Sequence, residues 1–162
     1  MADEIERKFL VKSADWRSAV TANKTIKQGY MAVNDQCAVR VRITDNEAFL
    51  TIKSSGLAIA RKEYEYNIPF ADAEEMMNKF CTSHKIEKVR YYVDYQDSVW
   101  EVDVFEGDNQ GLVVAEIELR SVDEEVSLPP WAGLEVSADA KYRNNNLATH
   151  PYANWGATGH TK

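Results

Sequence analysis

The amino-acid sequence predicts a mainly β protein of the α+β class, and three features carry that expectation. Charged and apolar residues alternate with a period of two over run after run, the pattern of strands with one face on a core. Polar turn clusters separate the runs, at Asn34-Asp35, Asp45-Asn46, Ser54-Ser55-Gly56 and Gly107-Asp108-Asn109, and such residues suit antiparallel hairpins. Most neighbouring runs lack a helix-sized crossover between them, which disfavours a parallel sheet.

In chain order the predicted strands cover residues 4–11, 25–31, 38–44, 48–54, 61–68, 85–93, 99–105 and 112–119. Helical signals are few. Residues 13–22 carry Trp16 and Val20 at a four-residue spacing, and residues 70–81 place Met76, Met77 and Phe80 on one side. The second of these opens with Asp72, Glu74 and Glu75, acidic residues that complement a helix N-terminus. A third short helix is expected near Ala138. Residues 1–150 read as a single domain, and 151–162, rich in Gly, Asn, Thr and His, as a flexible tail.

The chain has 162 residues, 44% of them hydrophobic, enough for one domain with a sizeable core. Its 19 Lys and Arg against 26 Asp and Glu give a net charge of −7, which argues against long nucleic acids or an anionic membrane surface as partners. Cys37 and Cys81 show no CxxC spacing and the three histidines form no ligand-spaced cluster, so neither a zinc site nor a disulfide framework is expected. No apolar run approaches the roughly 18 residues of a membrane span, and the first residues do not resemble a signal peptide. A cytoplasmic protein, monomer or homodimer, is the expectation.

Sorting each strand by parity reveals a charged face. Glu4, Glu6 and Lys8 lie on one side of the first strand, opposite Ile5 and Phe9. The same face collects Arg40 and Arg42, Lys53, Arg61 with Glu63 and Glu65, Lys88 and Arg90, Glu101 and Asp103, and Glu116 and Glu118. A half-solvated antiparallel sheet shows the same alternation, but such a face tolerates Ser, Thr and Asn, whereas here seven strands carry charge and the signs are sorted by strand. If the sheet closes into a barrel with these residues inside, a cationic wall faces an anionic one across a lumen that must hold water, ions and ligand. Arg and Lys suit phosphate oxygens and clustered carboxylates suit hard divalent ions, so a metal-bound polyphosphate satisfies both walls.

The ordered series resembles the CYTH superfamily, the triphosphate tunnel metalloenzymes. The likeness begins with the ExExK of Glu4-Ile5-Glu6-Arg7-Lys8 and runs through Arg40-Val41-Arg42, Thr51-Ile52-Lys53, Arg61-Lys62-Glu63-Tyr64-Glu65, Lys88-Val89-Arg90, Glu101-Val102-Asp103 and Glu116-Ile117-Glu118. It ends with Glu135-Val136-Ser137 and Lys141-Tyr142-Arg143-Asn144, and so covers residues 4–148. The resemblance implies an eight-stranded antiparallel closed β-barrel forming a tunnel, with helices outside and a short C-terminal helix that can plug one mouth. It implies that Glu4, Glu6, Glu116 and Glu118, with Asp103, hold Mg²⁺ or Mn²⁺, two ions during turnover. Lys8, Arg40, Arg42, Lys53, Lys88 and Arg90 match phosphate-contacting positions, and Arg61 belongs to a charged strand of less specific role.

The activity expected is metal-dependent hydrolysis of a phosphoanhydride bond, with inorganic tripolyphosphate as the substrate. Glu6 and Glu116 are expected to be essential, and Lys88 to assist the attacking water or the leaving oxygen. Three alternatives share the motif: an adenylyl cyclase converting ATP to cyclic AMP, a thiamine or nucleoside triphosphatase, and a polyphosphate-binding module without catalysis. Tyr30 and Tyr142 either line the mouth or pack.

Overall fold

The computed structural model describes residues 3–55, 58–83 and 85–155. Among the described residues there are nine strands: β1 (Asp3–Val11), β2 (Val20–Val33), β3 (Cys37–Ile43), β4 (Ala48–Ser54), β5 (Ala60–Asn67), β6 (Ile86–Tyr95), β7 (Ser98–Glu106), β8 (Val113–Glu118) and β9 (Ala132–Glu135). Helix α1 (Phe70–Phe80) joins β5 to β6, and α2 (Asn144–Thr149) follows β9. All pairings are antiparallel, in the order β5-β4-β3-β2-β6-β7-β8-β1-β9, with a further β5–β1 pairing that closes eight strands into a ring.

The closing strand is shared. Residues 3–5 of β1 pair with β5, Phe9 and Val11 pair with β9 on that same edge, and residues 6–10 pair with β8 on the other. Four residues of β9 were too few to stand out in the sequence after the Pro129-Pro130 turn. The predicted helix at 13–22 is a 3-10 turn over Asp15–Ala19, followed directly by a 14-residue β2. Trp16 is buried and tilts against Tyr91 with ring centroids 5.2 Å apart, which pins the turn, while Ala22 through Gln28 pair without a break with β6, after a register shift between Val20 and Ala22.

Packing divides the molecule into an outer and an inner part. Outside the ring, Phe9, Trp100 and Trp131 stack edge to face, with centroids 5.6 and 5.7 Å apart, over Val93, Val102 and Ile117. On another side, Ala73 and Met77 of α1 cover Val41 and Ala48. This approach uses Gly29 of β2, where a Cβ would meet the Cβ and Sγ of Cys81 at 2.8 Å.

The third cluster lies inside. Ile86, Phe105 and Val114 share the strand parity of the charged residues, and they pack with Leu147 and Ala148 of α2 and with Trp155. One end of the lumen is therefore an apolar floor sealed by α2. The segment expected as a tail takes part: Tyr152–Asn154 form a 3-10 turn and Trp155 is buried between Tyr142 and Tyr152. Residues 156–162 of that expected tail lie outside the described residues.

Candidate active site

Strand order sorts the charges. The basic strands β4, β3 and β6, with β2 between them, form one continuous arc of the ring, and β7, β8, β1 and β5, which carry most of the carboxylates, form the other. Between the arcs is a cavity of about 610 Å³. Thirteen of the fifteen charged residues found by parity line it: Glu4, Glu6, Lys8, Arg40, Arg42, Lys53, Arg61, Glu63, Glu65, Arg90, Glu101, Glu116 and Glu118. The cations and carboxylates pair along the wall, between strands that are neighbours or one strand apart in the ring. Lys53 Nζ is 2.9 Å from Glu4, Lys8 Nζ is 3.4 Å from Glu116, and Arg90 lies 3.1 Å from Glu101. Arg40 stands farther off, 3.8 Å from Glu63 and 3.9 Å from Glu65.

The carboxylates do not share one electrostatic state. Burial, reinforced by the neighbouring charge of Glu116, pushes Glu6 up to about 7 despite Lys53. Burial would also raise Glu116, but Lys8 and Arg90 outweigh it and bring the group down to about 2. On the basic arc, burial together with Arg40 and Arg90 lowers Arg42 to about 10. Arg42 makes a neutral hydrogen bond, donating from Nε to Gln28 Oε1 at 2.9 Å, and has no ion pair among the described residues. Burial and like-charged neighbours thus strain both signs of charge in this lumen.

Two expected site residues are placed elsewhere. Lys88 is fully buried and Asp103 is 3% exposed, and neither lines the cavity. Asp103 accepts from Arg90 Nε at 2.8 Å, Arg90 Nη2 at 2.9 Å and Lys88 Nζ at 2.7 Å. Burial acts to raise Asp103, yet Arg90 and Lys88 hold it well below the usual carboxylate range. Both of its oxygens accept from cations in this structure. Lys88 sits above the floor, 5.3 Å from the Phe105 ring centroid; burial pulls it down to about 8, but it stays bonded to an ionised partner. Nothing of its side chain is exposed to the cavity. These two residues instead hold Arg90, whose guanidinium does face the lumen.

A sequence model of the CYTH domain matches residues 2–152. The chain belongs to the CYTH family. An inorganic triphosphatase from Acetivibrio thermocellus is 41% identical over 96% of this chain and 99% of its own length, and one from Nitrosomonas europaea is 36% identical over 90% and 96%. Among solved structures, the inorganic triphosphatase NE1496 superposes with a TM-score of 0.64 at 34% identity, covering 90% of this chain and 97% of that one. A putative adenylate cyclase from Bacillus halodurans shares the fold, with a TM-score of 0.57 at 15% identity over 75% of this chain and 83% of that one.

In this CYTH domain the residues that could hold a divalent cation are Glu4, Glu6, Glu116 and Glu118, all hard oxygen donors on adjacent strands, with Glu6 opposite Glu118 and Lys8 opposite Glu116. Among the described residues no three acidic side chains already converge on one point. Glu4 leans to Lys53, and Glu116 to Lys8 and Arg90. Burial first and the charge of Glu116 second raise Glu6, and a cation among these carboxylates would offset both.

The parity argument covered strands only, and so missed the contribution from the C-terminal segment. Ala140 and residues 143–146 line the cavity, as does Tyr30, which also packs against the floor cluster. Lys8 Nζ donates to the carbonyl of Tyr142 at 3.1 Å and Lys88 Nζ to Asn144 Oδ1 at 3.4 Å. The run Lys141-Tyr142-Arg143-Asn144 was visible as a motif, but nothing in a loop's spacing tells which side chains point inward. No described helix is long and apolar enough to cross a membrane.

Proposed function

We propose that this CYTH domain hydrolyses a phosphoanhydride bond of inorganic triphosphate with the help of divalent metal, Mg²⁺ or Mn²⁺. The observation that carries the reading is a basic arc facing an acidic arc around one cavity with a floor at its end. The near full-length likeness to proteins called inorganic triphosphatases supports it.

Arg40, Arg42, Lys53, Arg61 and Arg90 bind and align the phosphate oxygens, and the planar forks of the arginines fix the direction of the chain. Asp103 and Lys88 keep Arg90 in its plane. Lys8 and Lys53, released from Glu116 and Glu4, turn to the phosphates, which frees those two carboxylates to join Glu6 and Glu118 as metal ligands. Bound ions supply charge neutralisation and a water acidic enough to attack phosphorus at neutral pH. Positioning of this kind supplies most of what phosphoryl transfer needs.

An adenylyl cyclase needs a nucleoside site as well. Tyr30 is the one aromatic residue among the described residues lining the cavity, which favours inorganic triphosphate over ATP. Purified protein incubated with Mg²⁺ or Mn²⁺ and separately with tripolyphosphate, ATP and thiamine triphosphate decides the matter. Rapid phosphate release from tripolyphosphate is the expected result, whereas cyclic AMP from ATP refutes the reading.

A further inference from the structure

We infer that Arg143, carried by the C-terminal segment and not by a strand, is a further triphosphate-binding residue, so that substrate clamps this segment onto the ring. The inference rests on the triphosphate reading above. Arg143 lines the main cavity and also the small recess of about 30 Å³ where Glu6, Lys8 and Arg61 meet Val136 and Ser137. Its Nε is buried without a hydrogen-bond partner, and its guanidinium has no ion pair among the described residues. Burial and the adjacent charge of Arg61 lower it to about 10, with Glu6 only partly offsetting them.

Leaving a buried donor unpaired is costly, and two guanidinium groups side by side repel. Neither cost persists if an anion with several acceptor oxygens arrives between them, because each arginine presents a fork of donors that matches a phosphate. The segment is held so that Arg143 can serve. Tyr142 carbonyl accepts from Lys8, Asn144 accepts from Lys88, and Leu147 behind them is fully buried in the floor. A strand residue would hold phosphate against the wall alone; Arg143 ties the phosphate to the element that seals the lumen.

Steady-state kinetics with tripolyphosphate and melting of the metal-free protein test the assignment. Arg143→Gln is expected to raise KM at least about tenfold, the usual worth of a charged hydrogen bond, with kcat changed far less and the melting temperature without ligand kept. The melting shift given by tripolyphosphate alone should shrink with it. Arg143→Lys, which keeps the charge but loses the fork, should fall between. If wild type is active and Arg143→Gln has a KM within twofold of it, the inference is overturned while the triphosphatase reading stands; a wild type inert to tripolyphosphate overturns both. Should Arg143→Gln melt early, Arg143→Lys alone decides: a KM raised severalfold supports the assignment and an unchanged one refutes it.

Discussion

Lys88 and Asp103 meet at 2.7 Å in the layer between the charged cavity and its apolar floor, and each is nearly or fully withdrawn from solvent. The pair acts on the lumen through Arg90, which donates two bonds to the same carboxylate. Breaking a buried pair by removing one partner costs about 3–5 kcal/mol. Lys88→Met is therefore expected to lower the urea midpoint by that order and to raise KM as Arg90 loosens. A variant of wild-type stability with only kcat reduced would instead put Lys88 in the chemistry.

Glu6 and Glu116 are expected to be indispensable for a different reason. In the proposed site either change to Gln weakens a set of four metal oxygens, and turnover of tripolyphosphate should fall by about a hundred- to a thousandfold, the order of losing one preorganised group at a reacting centre. Phosphate release at saturating Mg²⁺ or Mn²⁺ measures this. Excess metal should recover Glu6→Gln in part if only affinity is lost, and titration of metal binding by calorimetry separates the two effects.

Stability of the metal-free protein should peak in mildly acidic solution. Glu6 rises from 4.5 to about 7 on folding, so its contribution is complete below pH 4.5 and disappears as pH climbs through 7. Glu116 falls from 4.5 to about 2, so its contribution is present above pH 4.5 and disappears on the way down to 2; Asp103, also lowered, acts in the same sense. Urea denaturation in chelator should show stability growing from pH 8 toward 5 and then declining. In Glu6→Gln the growth between pH 8 and 5 should flatten.

Gly29→Ala probes the seat of α1. The added methyl would stand 2.8 Å from Cys81 Cβ and Sγ and 2.9 Å from Met77 Sδ, well inside contact distance, so helix and strand must separate. Overpacking of this kind costs about 1–3 kcal/mol. Calorimetric melting should register it, with KM for tripolyphosphate nearly unchanged because α1 packs on the outer face.

Much of the site was legible because a strand has only two sides. Once Ile5 and Phe9 are assigned to the core, Glu4, Glu6 and Lys8 must face the lumen, and the same parity holds around the ring. Parity does not report depth, however. Asp103 and Glu101 look equivalent in sequence, yet one is locked beneath Arg90 and the other faces the cavity. Ile86, Phe105 and Val114 point inward as the charges do, and their role as a floor emerges only when Leu147 and Trp155 come to rest on them. Arg143 lies in a stretch without periodicity, so its direction depends on contacts made by residues far away in the chain.

Because β1 draws its neighbours from distant parts of the chain, the strand synthesised first is completed last. Ile5 pairs with Ala60, and Glu6 waits for Glu118. At about 5–20 residues per second of ribosomal synthesis, that interval is on the order of 5 to 20 seconds, during which β1 presents an unsatisfied edge to everything around it. Alternating Glu4, Glu6 and Lys8 make such an edge a poor template for other strands, as charged residues do on edge strands generally. The residues assigned to metal and phosphate in the finished molecule thereby act earlier, as guards against aggregation while the nascent chain is still one strand short of a ring.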